Sequence, residues 1–323
     1  MQRFAGTWLC CLLISPLLGQ AATLEDDPWL MLEKAGQAAH KLGYKGIFVY
    51  QSGHGVSNLQ ITHMNYTQGE FARVVSLDGA PREVLRQGNE AVIYSPQNEK
   101  VMIEKQRVQS SFPALLPGLT DALKASYLAK VAGQERVGGR DGTVVQLTPR
   151  DRYRYAYRFS VDREFGLLLK SVMLNERNEI VEQVAFSQLT LMPMTSMDWF
   201  HPNIERGKNY EMQPEDNVVQ NGAEGEGWKV AKLPPGFVKV DQVTRTLPGK
   251  PLPVTQLIFS DGIASVSLFI EALDKNVHAK TGHLLQGATN IYANTVDGYQ
   301  LIVVGEVPEV VVRQIGDSVS FRK

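Results

Sequence analysis

Short apolar runs that alternate with polar residues dominate the first two hundred residues. Turn pairs such as Asp78-Gly79 and Gln87-Gly88 separate several of these runs. Alternation with period two between such turns is typical of antiparallel hairpins. The predicted strands cover residues 46–51, 59–66, 71–77, 83–86, 91–95, 100–105, 134–137, 143–148, 153–161, 167–174 and 180–189. A sheet of ten or eleven strands must curl, close or split.

Two helices are predicted within this series of strands. The first follows Asp27, places Pro28 at its first position and has an apolar stripe to about Leu42. The second is predicted over residues 120–131. The sequence therefore predicts a mainly β fold with some α structure, in which helices fill the concave side of a large curved antiparallel sheet.

The texture of the chain changes after residue 205. Residues 206–227 are polar, glycine-rich and aperiodic, which predicts a linker. Alternation returns over residues 237–246, 253–260, 264–272, 288–295 and 300–307, and a helix is predicted from Pro308 to about Val319. We therefore predict a large domain over residues 22–205, a linker over 206–227 and a small α+β domain over 228–323.

Residues 1–21 have the pattern of a cleavable secretory signal. Arg3 precedes an apolar run over residues 4–18, and small residues favour cleavage between Ala21 and Ala22. Cys10 and Cys11 both lie in this segment, so the mature chain is expected to hold no disulfide and no thiolate metal site. Later apolar runs fall short of the roughly 18 residues that a membrane helix needs. These features predict an exported protein that does not span the membrane.

The charged and catalytic residue types exclude several functions. The chain has 33 basic and 34 acidic residues, and this balance does not favour a nucleic-acid partner. Its six histidines show no metal-ligand spacing, and the chain has no Gly-x-Ser-x-Gly elbow, phosphate-binding glycine loop or dinucleotide fingerprint. The sequence therefore predicts no catalytic residue, no metal and no cofactor, and hence a protein that is not an enzyme.

Residues 149–159 form the most informative stretch of the chain. As a strand, this stretch places four arginines on one face: Arg150, Arg152, Arg154 and Arg158. The other face carries aromatic rings: Tyr153, Tyr155, Tyr157 and Phe159. Either the strand has an aromatic core face and a solvated basic face, or the arginines bind an acidic partner or phosphate groups, for which arginine is well suited.

Some segments of the large domain contain more apolar residues than a strand with only one buried face requires. Leu167 and Leu169 belong to a strand that is apolar on both faces, and residues 191–200 are rich in methionine. A partly open concave face could bind an acyl chain, whereas a two-sided core explains the same residues equally well. The lipid-binding candidates are Tyr153, Tyr155, Tyr157, Phe159, Leu167 and Leu169.

Eight segments, in order along both predicted domains, resemble the MucB/RseB family of periplasmic regulators that bind an envelope-stress anti-sigma factor. They include Tyr44-Lys-Gly-Ile-Phe-Val-Tyr50, Leu233-Pro-Pro-Gly-Phe237 and Ser260-Asp-Gly-Ile-Ala264. The others cover residues 77–86, 147–155, 166–171, 269–271 and 303–308. The methionine-rich residues 191–200 are the main departure from the family.

The resemblance implies both a fold and a function. The large domain is expected to be a half-open β-barrel similar to periplasmic lipoprotein carriers. The protein is expected to bind the periplasmic part of a membrane-spanning anti-sigma factor, shield it from proteolysis and release it when lipopolysaccharide or another lipid-bearing envelope component binds. A periplasmic lipoprotein or lipid carrier is the alternative function, and self-association stays open.

Overall fold

A computed structural model describes most of the chain after residue 26. The described ranges are residues 27–88, 90–97, 100–107, 111–116, 121–191, 196–202, 209–212, 218–219, 227–245, 252–273 and 278–321. The predicted signal segment with Cys10 and Cys11 lies outside them, as does part of the methionine-rich segment. Within them, no helix is long and apolar enough to cross a membrane.

Among its described residues before residue 192, the large domain contains two helices and eleven strands, as predicted. They are α1 (Pro28–Lys41), β1 (Tyr44–Ser52), β2 (Gly55–Tyr66), β3 (Gly69–Ser76), β4 (Glu83–Gln87), β5 (Glu90–Gln97), β6 (Lys100–Arg107), α2 (Asp121–Ser126), β7 (Tyr127–Val137), β8 (Arg140–Pro149), β9 (Ala156–Asp162), β10 (Leu168–Leu174) and β11 (Ile180–Leu191).

The remaining elements are mostly strands of a second sheet. They are β12 (Asn209–Met212), β13 (Val218–Val219), β14 (Trp228–Val230), β15 (Val238–Arg245), β16 (Val254–Ser260), β17 (Ser265–Ala272), β18 (Gly282–Gln286), β19 (Thr289–Val296), β20 (Tyr299–Gly305), α3 (Glu309–Asp317) and β21 (Val319–Phe321).

The first sheet is large, curled and open. Its order is β12-β6-β5-β4-β3-β2-β1-β11-β10-β9-β8-β7, and its neighbours are antiparallel except for β12 and β6. A Cβ atom on Gly138, just after β7, would lie 3.1 Å from the Cβ of Phe186 on β11, so the sheet bends back on itself. Among the described residues, the strands at the two ends of this order, β12 and β7, are not hydrogen-bonded to each other. The barrel is therefore half-open, which confirms the predicted fold class.

Helix α1 lies inside the curl of the sheet. Asp27 caps it by accepting from the backbone of Trp29 at 2.9 Å, and Pro28 begins it. It buries Leu32 and three alanines, whose small side chains allow a close approach to the sheet. The core of the large domain therefore lies between this helix and the concave face.

The second predicted helix is shorter than expected. Helix α2 ends at Ser126, and residues from Tyr127 to Val137 form β7 instead. Tyr127 pairs with Pro149 of β8, so antiparallel pairing takes over a stretch whose local pattern also suits a helix. The prediction of a helix to residue 131 is therefore wrong.

The second sheet has the order β13-β15-β16-β17-β20-β19-β18. Helix α3 covers one face of it with Val311, Val312 and Ile315, which form a second apolar core with residues of β16, β17 and β20. Strands β12 and β13 lie within residues 206–227 and pair with β6 and β15. The segment predicted as a linker therefore contains one short strand for each sheet.

Candidate functional site

The two sheets meet at a contact region that we call the junction. The large domain contributes the β1–β2 turn and the residues between β8 and β9. The small domain contributes the residues before β15 and the turns after β16 and β18. The junction comprises Ser52, Gly53, Asp151, Arg154, Tyr155, Pro235, Gly236, Phe237, Asp261, Gly287, Ala288 and Asn290.

Arg154 is the central residue of the junction and is only 3% exposed. Its Nε donates to Oδ2 of Asp261 at 2.8 Å, and its other nitrogens contact Asp151 and the carbonyl oxygen of Pro235. The ring of Phe237 lies 5.4 Å from the guanidinium. Because Asp261 is also buried, at 5% exposure, this is an ion pair between the domains that is shielded from water.

Local turns fix the two carboxylates that face Arg154. Oδ1 of Asp151 accepts from the backbone of Tyr153 at 2.9 Å, and Oδ1 of Asp261 accepts from Ala264 at 2.9 Å. In each residue the other oxygen is left to face the guanidinium. Gly236 has a φ of +80°, and a Cβ atom there would lie 2.5 Å from a guanidinium nitrogen. Glycine is therefore required where the backbone approaches Arg154.

Neutral contacts complete the junction. The Asn290 amide donates to the Tyr155 hydroxyl at 3.2 Å and to the carbonyl of Val307 at 2.8 Å. The backbone of Ala288 donates to Oγ of Ser52 at 3.1 Å, and Ala288 packs into the core of the large domain. The small domain is therefore joined to the large one by both apolar and hydrogen-bonded contacts.

The structure separates the four predicted arginines. Strand β9 begins only at Ala156, so Arg150, Arg152 and Arg154 lie in a turn rather than in a strand. Arg150, Arg152 and Arg158 are exposed, whereas Arg154 is buried in the junction. The prediction of one shared basic face is wrong because Asp151 and Asp261 draw Arg154 inward. Binding of an acidic partner or of phosphate by these arginines stays a prediction.

The predicted lipid-binding residues lie in the cores. Tyr157 and Phe159 stack with their ring centroids 5.5 Å apart, and Leu167 and Leu169 are fully buried in the same core. Tyr155 is buried beside them, and Tyr153 packs against the core of the small domain. The alternation therefore predicts the inward direction of these side chains correctly. Their role in lipid binding stays a prediction.

The sequence did not predict a pair of carboxylates beside the junction, Glu182 and Glu306. The Tyr50 hydroxyl donates to Oε2 of Glu182 at 2.8 Å. Burial and the nearby charge of Glu306 raise the pKa of Glu182 to about 7, and burial also raises the pKa of Glu306. These glutamates are far apart in sequence and on different domains, so only the fold brings them together.

Because the pKa of Glu182 is raised, we expect acid to stabilise the folded protein over one pH range. Its folded pKa of about 7 exceeds its ordinary value of 4.5, so the folded state binds more protons between these values. The contribution of Glu182 to the free energy of unfolding should therefore fall as pH rises from 4.5 to 7. Urea denaturation of Glu182→Gln should show a smaller fall than the wild type. Glu176→Gln, at an exposed site nearby, should behave as the wild type does, and equal pH dependence of all three proteins would contradict the assignment.

A second polar cluster surrounds Glu70 on the concave face. Its Oε2 lies 2.8 Å from Nδ1 of His40, its Oε1 lies 3.0 Å from Nε2 of His63, and Arg86 contacts Oε1. Nδ1 of His63 lies 2.9 Å from the carbonyl oxygen of Leu42, so both ring nitrogens of this buried histidine have a hydrogen-bond partner. Although burial raises the pKa of Glu70, hydrogen bonds from the histidines and the charge of Arg86 lower it to about 2.

Because the pKa of Glu70 is lowered, we expect acid to destabilise the folded protein in a lower pH range. Its folded pKa of about 2 lies below 4.5, so its stabilising contribution is complete above pH 4.5 and is lost as pH falls toward 2. We expect Glu70→Gln to unfold at lower urea concentration at pH 6 and to lose less stability than the wild type between pH 4.5 and 2.5. Glu90→Gln, an exposed control, should keep the wild-type profile. A wild-type profile for Glu70→Gln would count against this cluster as the cause.

Family comparisons cover almost the whole described chain. Residues 27–204 match the family model of the MucB/RseB N-terminal domain, and residues 222–320 match that of the MucB/RseB C-terminal domain. The sigma factor AlgU regulatory protein MucB of Pseudomonas aeruginosa is 31% identical over 304 residues, or 92% of each chain. The sigma-E factor regulatory protein RseB of Escherichia coli is 23% identical over 318 residues, or 97% of this chain and 98% of that one.

Solved structures agree with the sequence comparisons. The crystal structure of MucB in complex with MucA(peri) superposes with a TM-score of 0.72 at 28% identity, covering 92% of this chain and 100% of that one. The crystal structure of MucB superposes with a TM-score of 0.63 at 26% identity, covering 93% and 99%. The likeness therefore includes both domains.

Proposed function

The chain belongs to the MucB/RseB family, and on that premise we propose that it binds the periplasmic part of a membrane-spanning anti-sigma factor. The observation that supports this proposal is the full-length likeness to MucB in complex with MucA(peri). By binding and shielding the anti-sigma factor from proteolysis, the protein acts as a negative regulator of an envelope-stress sigma factor. This role needs no catalytic residue, metal or cofactor.

The proposed location follows from the proposed partner. The protein is exported to the periplasm, where the partner segment lies, and its signal segment is cleaved near Ala21/Ala22. Lipopolysaccharide or another lipid-bearing component releases the anti-sigma factor by favouring a conformation that binds it less well. Each ligand must then weaken the binding of the other by the same factor. Because Leu167, Leu168 and Leu169 are fully buried in the core of the large domain, an acyl chain that enters this core displaces core side chains.

Calorimetric titration tests this function directly. The mature protein should bind the purified periplasmic segment of its cognate anti-sigma factor at micromolar concentration or below, and added lipopolysaccharide should weaken that binding. Absence of association at micromolar concentration would remove the proposal. Binding of lipid without binding of the anti-sigma segment, with transfer of the lipid to an acceptor, would support the periplasmic carrier instead.

The three exposed arginines give a sharper test of how the ligands bind. Combined replacement of Arg150, Arg152 and Arg158 by glutamate should weaken the binding of either the anti-sigma segment or lipopolysaccharide by about tenfold or more. Several charges must act together for such an effect, because one exposed ion pair contributes little binding free energy. The protein should stay folded because these side chains are exposed. Arg177→Glu, in the exposed β10–β11 turn, is the control. Unchanged affinity for both ligands would exclude these arginines.

A further inference from the structure

Two kinds of acidic contact lie between the domains. Asp261 faces the buried guanidinium of Arg154, so a permanent cation balances its charge. Glu182 on β11 and Glu306 after β20 belong to different domains, and the charge of Glu306 acts on Glu182. We call these two glutamates the carboxyl pair. Among the described residues, no lysine or arginine lowers the pKa of either glutamate, so this contact has like charges without a balancing cation.

A chain of hydrogen bonds connects the carboxyl pair to the small domain. The Tyr50 hydroxyl donates to Oε2 of Glu182 at 2.8 Å, and Ser52 is hydrogen-bonded to the same hydroxyl. The backbone N–H of Ala288, at the turn between β18 and β19, donates to Oγ of Ser52 at 3.1 Å. Ser52 also pairs directly with Glu182 between β1 and β11. A change in the charge of Glu182 therefore acts beside a hydrogen bond that joins the two domains.

The large domain places no other charged group against the carboxyl pair among its described residues. The charges of both glutamates act on Tyr50 of β1 and on Tyr157 of β9. Burial raises the pKa of each phenol above its ordinary value, so both phenols stay neutral near pH 7. Met173, the partner of Glu182 on β10, carries no charge. Changes of charge near pH 7 on this side of the contact therefore come from Glu182.

The small domain brings two other titratable residues near Glu306. Glu309, in the first turn of α3, forms an ion pair with Arg313. Nε2 of His283 lies 2.6 Å from Oδ1 of Asn290, and Asn290 belongs to the junction. Histidine side chains change their charge between pH 5 and pH 8. His283 is therefore the competing source of a pH effect, and an experiment on the carboxyl pair must include it.

Two carboxylates that lie close together without a cation favour a bound proton. While the domains are in contact, ionisation of one glutamate opposes ionisation of the other, and partial burial adds to this effect. In separated domains each carboxyl group lies in water and has its ordinary proton affinity. Acid therefore favours the contact, and a rise in pH favours separation. Both residues keep some exposed surface, so protons reach them without unfolding.

We propose that the carboxyl pair is a proton-operated latch between the two domains, closed in acid and released when both glutamates are ionised. This proposal goes beyond the proposed function and does not depend on it, because it concerns the protein without a partner. Arg154 still joins Asp261 after release. Release therefore opens the side of the junction at Ser52 and Ala288 and leaves the other side in contact.

Hydrogen exchange of the Ala288 amide in the full mature chain tests the latch, because this N–H donates across the junction. After correction for the intrinsic exchange rate, its protection should fall by about tenfold or more between pH 5 and pH 8, since one pKa unit changes the opening equilibrium tenfold. The Phe159 amide lies on β9 between β8 and β10 and should stay more strongly protected. This difference separates opening of the junction from global unfolding.

Variants of the carboxyl pair make the test specific. In the double variant Glu182→Gln/Glu306→Gln, protection of the Ala288 amide should stay constant within about twofold, and each single variant should show a smaller fall than the wild type. Tyr50→Phe should move the midpoint of the fall to higher pH, because its hydroxyl donates to the ionised carboxylate of Glu182. Glu90→Gln, at an exposed site on β5, is the matched control and should behave as the wild type does.

Three results would overturn the latch. Constant protection of the wild-type Ala288 amide from pH 5 to pH 8 would show that the contact binds no extra proton. Equal protection of the Ala288 and Phe159 amides would show that the junction opens only on global unfolding. A wild-type fall in the double variant would exclude the carboxyl pair, and its loss in His283→Gln would assign the pH effect to histidine. None of these measurements involves the anti-sigma segment, so the proposed function is tested separately.

Discussion

Arg154→Met is expected to weaken the folded protein by about 3–5 kcal/mol, since removing one partner of a buried ion pair leaves the other charge uncompensated. Asp261 is 5% exposed and would lose the guanidinium that faces its Oδ2 at 2.8 Å. The lost free energy of unfolding should come mainly from the contact between the two domains. Urea denaturation should then separate into two transitions, and small-angle scattering should show a larger radius of gyration.

A matched substitution on the same stretch isolates this effect. Arg158→Met removes an exposed arginine from β9, only four residues away, and should change the free energy of unfolding by no more than about 0.5 kcal/mol. Asp261→Asn should be milder than Arg154→Met, because Asp151 still faces the guanidinium. Equal stability of Arg154→Met and Arg158→Met would show that the junction does not depend on this ion pair.

Arg154 also shows where sequence reasoning failed. Alternation predicts the faces of a strand, and it holds for Tyr155, Tyr157 and Phe159, which are buried as expected. It fails for Arg154 because β9 begins at Ala156 and the preceding residues form a turn. Asp261 is 107 residues away in sequence, and no local pattern indicates that its carboxylate will meet Arg154. A pairing between domains depends on the complete fold.

The fold itself was largely predictable. Among the described residues before residue 192, the eleven strands follow from turn pairs and from period-two alternation, and α1 follows from its capping residue, Pro28 and its apolar stripe. All of these are local signals. The extent of α2 was not predictable, because pairing of Tyr127 with Pro149 decides it. Strands β12 and β13 have four and two residues, too few to show a period. Strand existence is therefore a local property here, whereas boundaries depend on the neighbouring strand.

The candidate functional residues also depend on contacts that the sequence does not show. Glu70 is only seven residues from His63, yet its contacts with His40 and Arg86 depend on α1 and β4 lying beside it. The apolar face of β17 and β20 that lies opposite α3 depends on the register of these two strands, which makes Phe269 and Ile302 direct partners. Its residues read as ordinary core strands in sequence, because periodicity does not show whether one face or both are covered.

Phe159→Ala is expected to lower the free energy of unfolding by about 3–5 kcal/mol, as large-to-small changes in a packed core do. Phe159 is 1% exposed and stacks on Tyr157, so its removal leaves a cavity between α1 and the concave face. Phe165→Ala, at a 44% exposed site, should cost less than about 1 kcal/mol and serves as the control. Urea denaturation measures both.

The same variant distinguishes a structural core from a lipid site. If residues 155–169 act only as core, Phe159→Ala should destabilise the protein whether or not lipid is present. If they line an occupied acyl site, the wild type purified with its lipid should be more stable than the delipidated wild type, by an amount that grows with lipid concentration. That difference should then disappear in Phe159→Ala. A loss below about 1 kcal/mol for Phe159→Ala without lipid would mean that the ring is not packed as the structure shows.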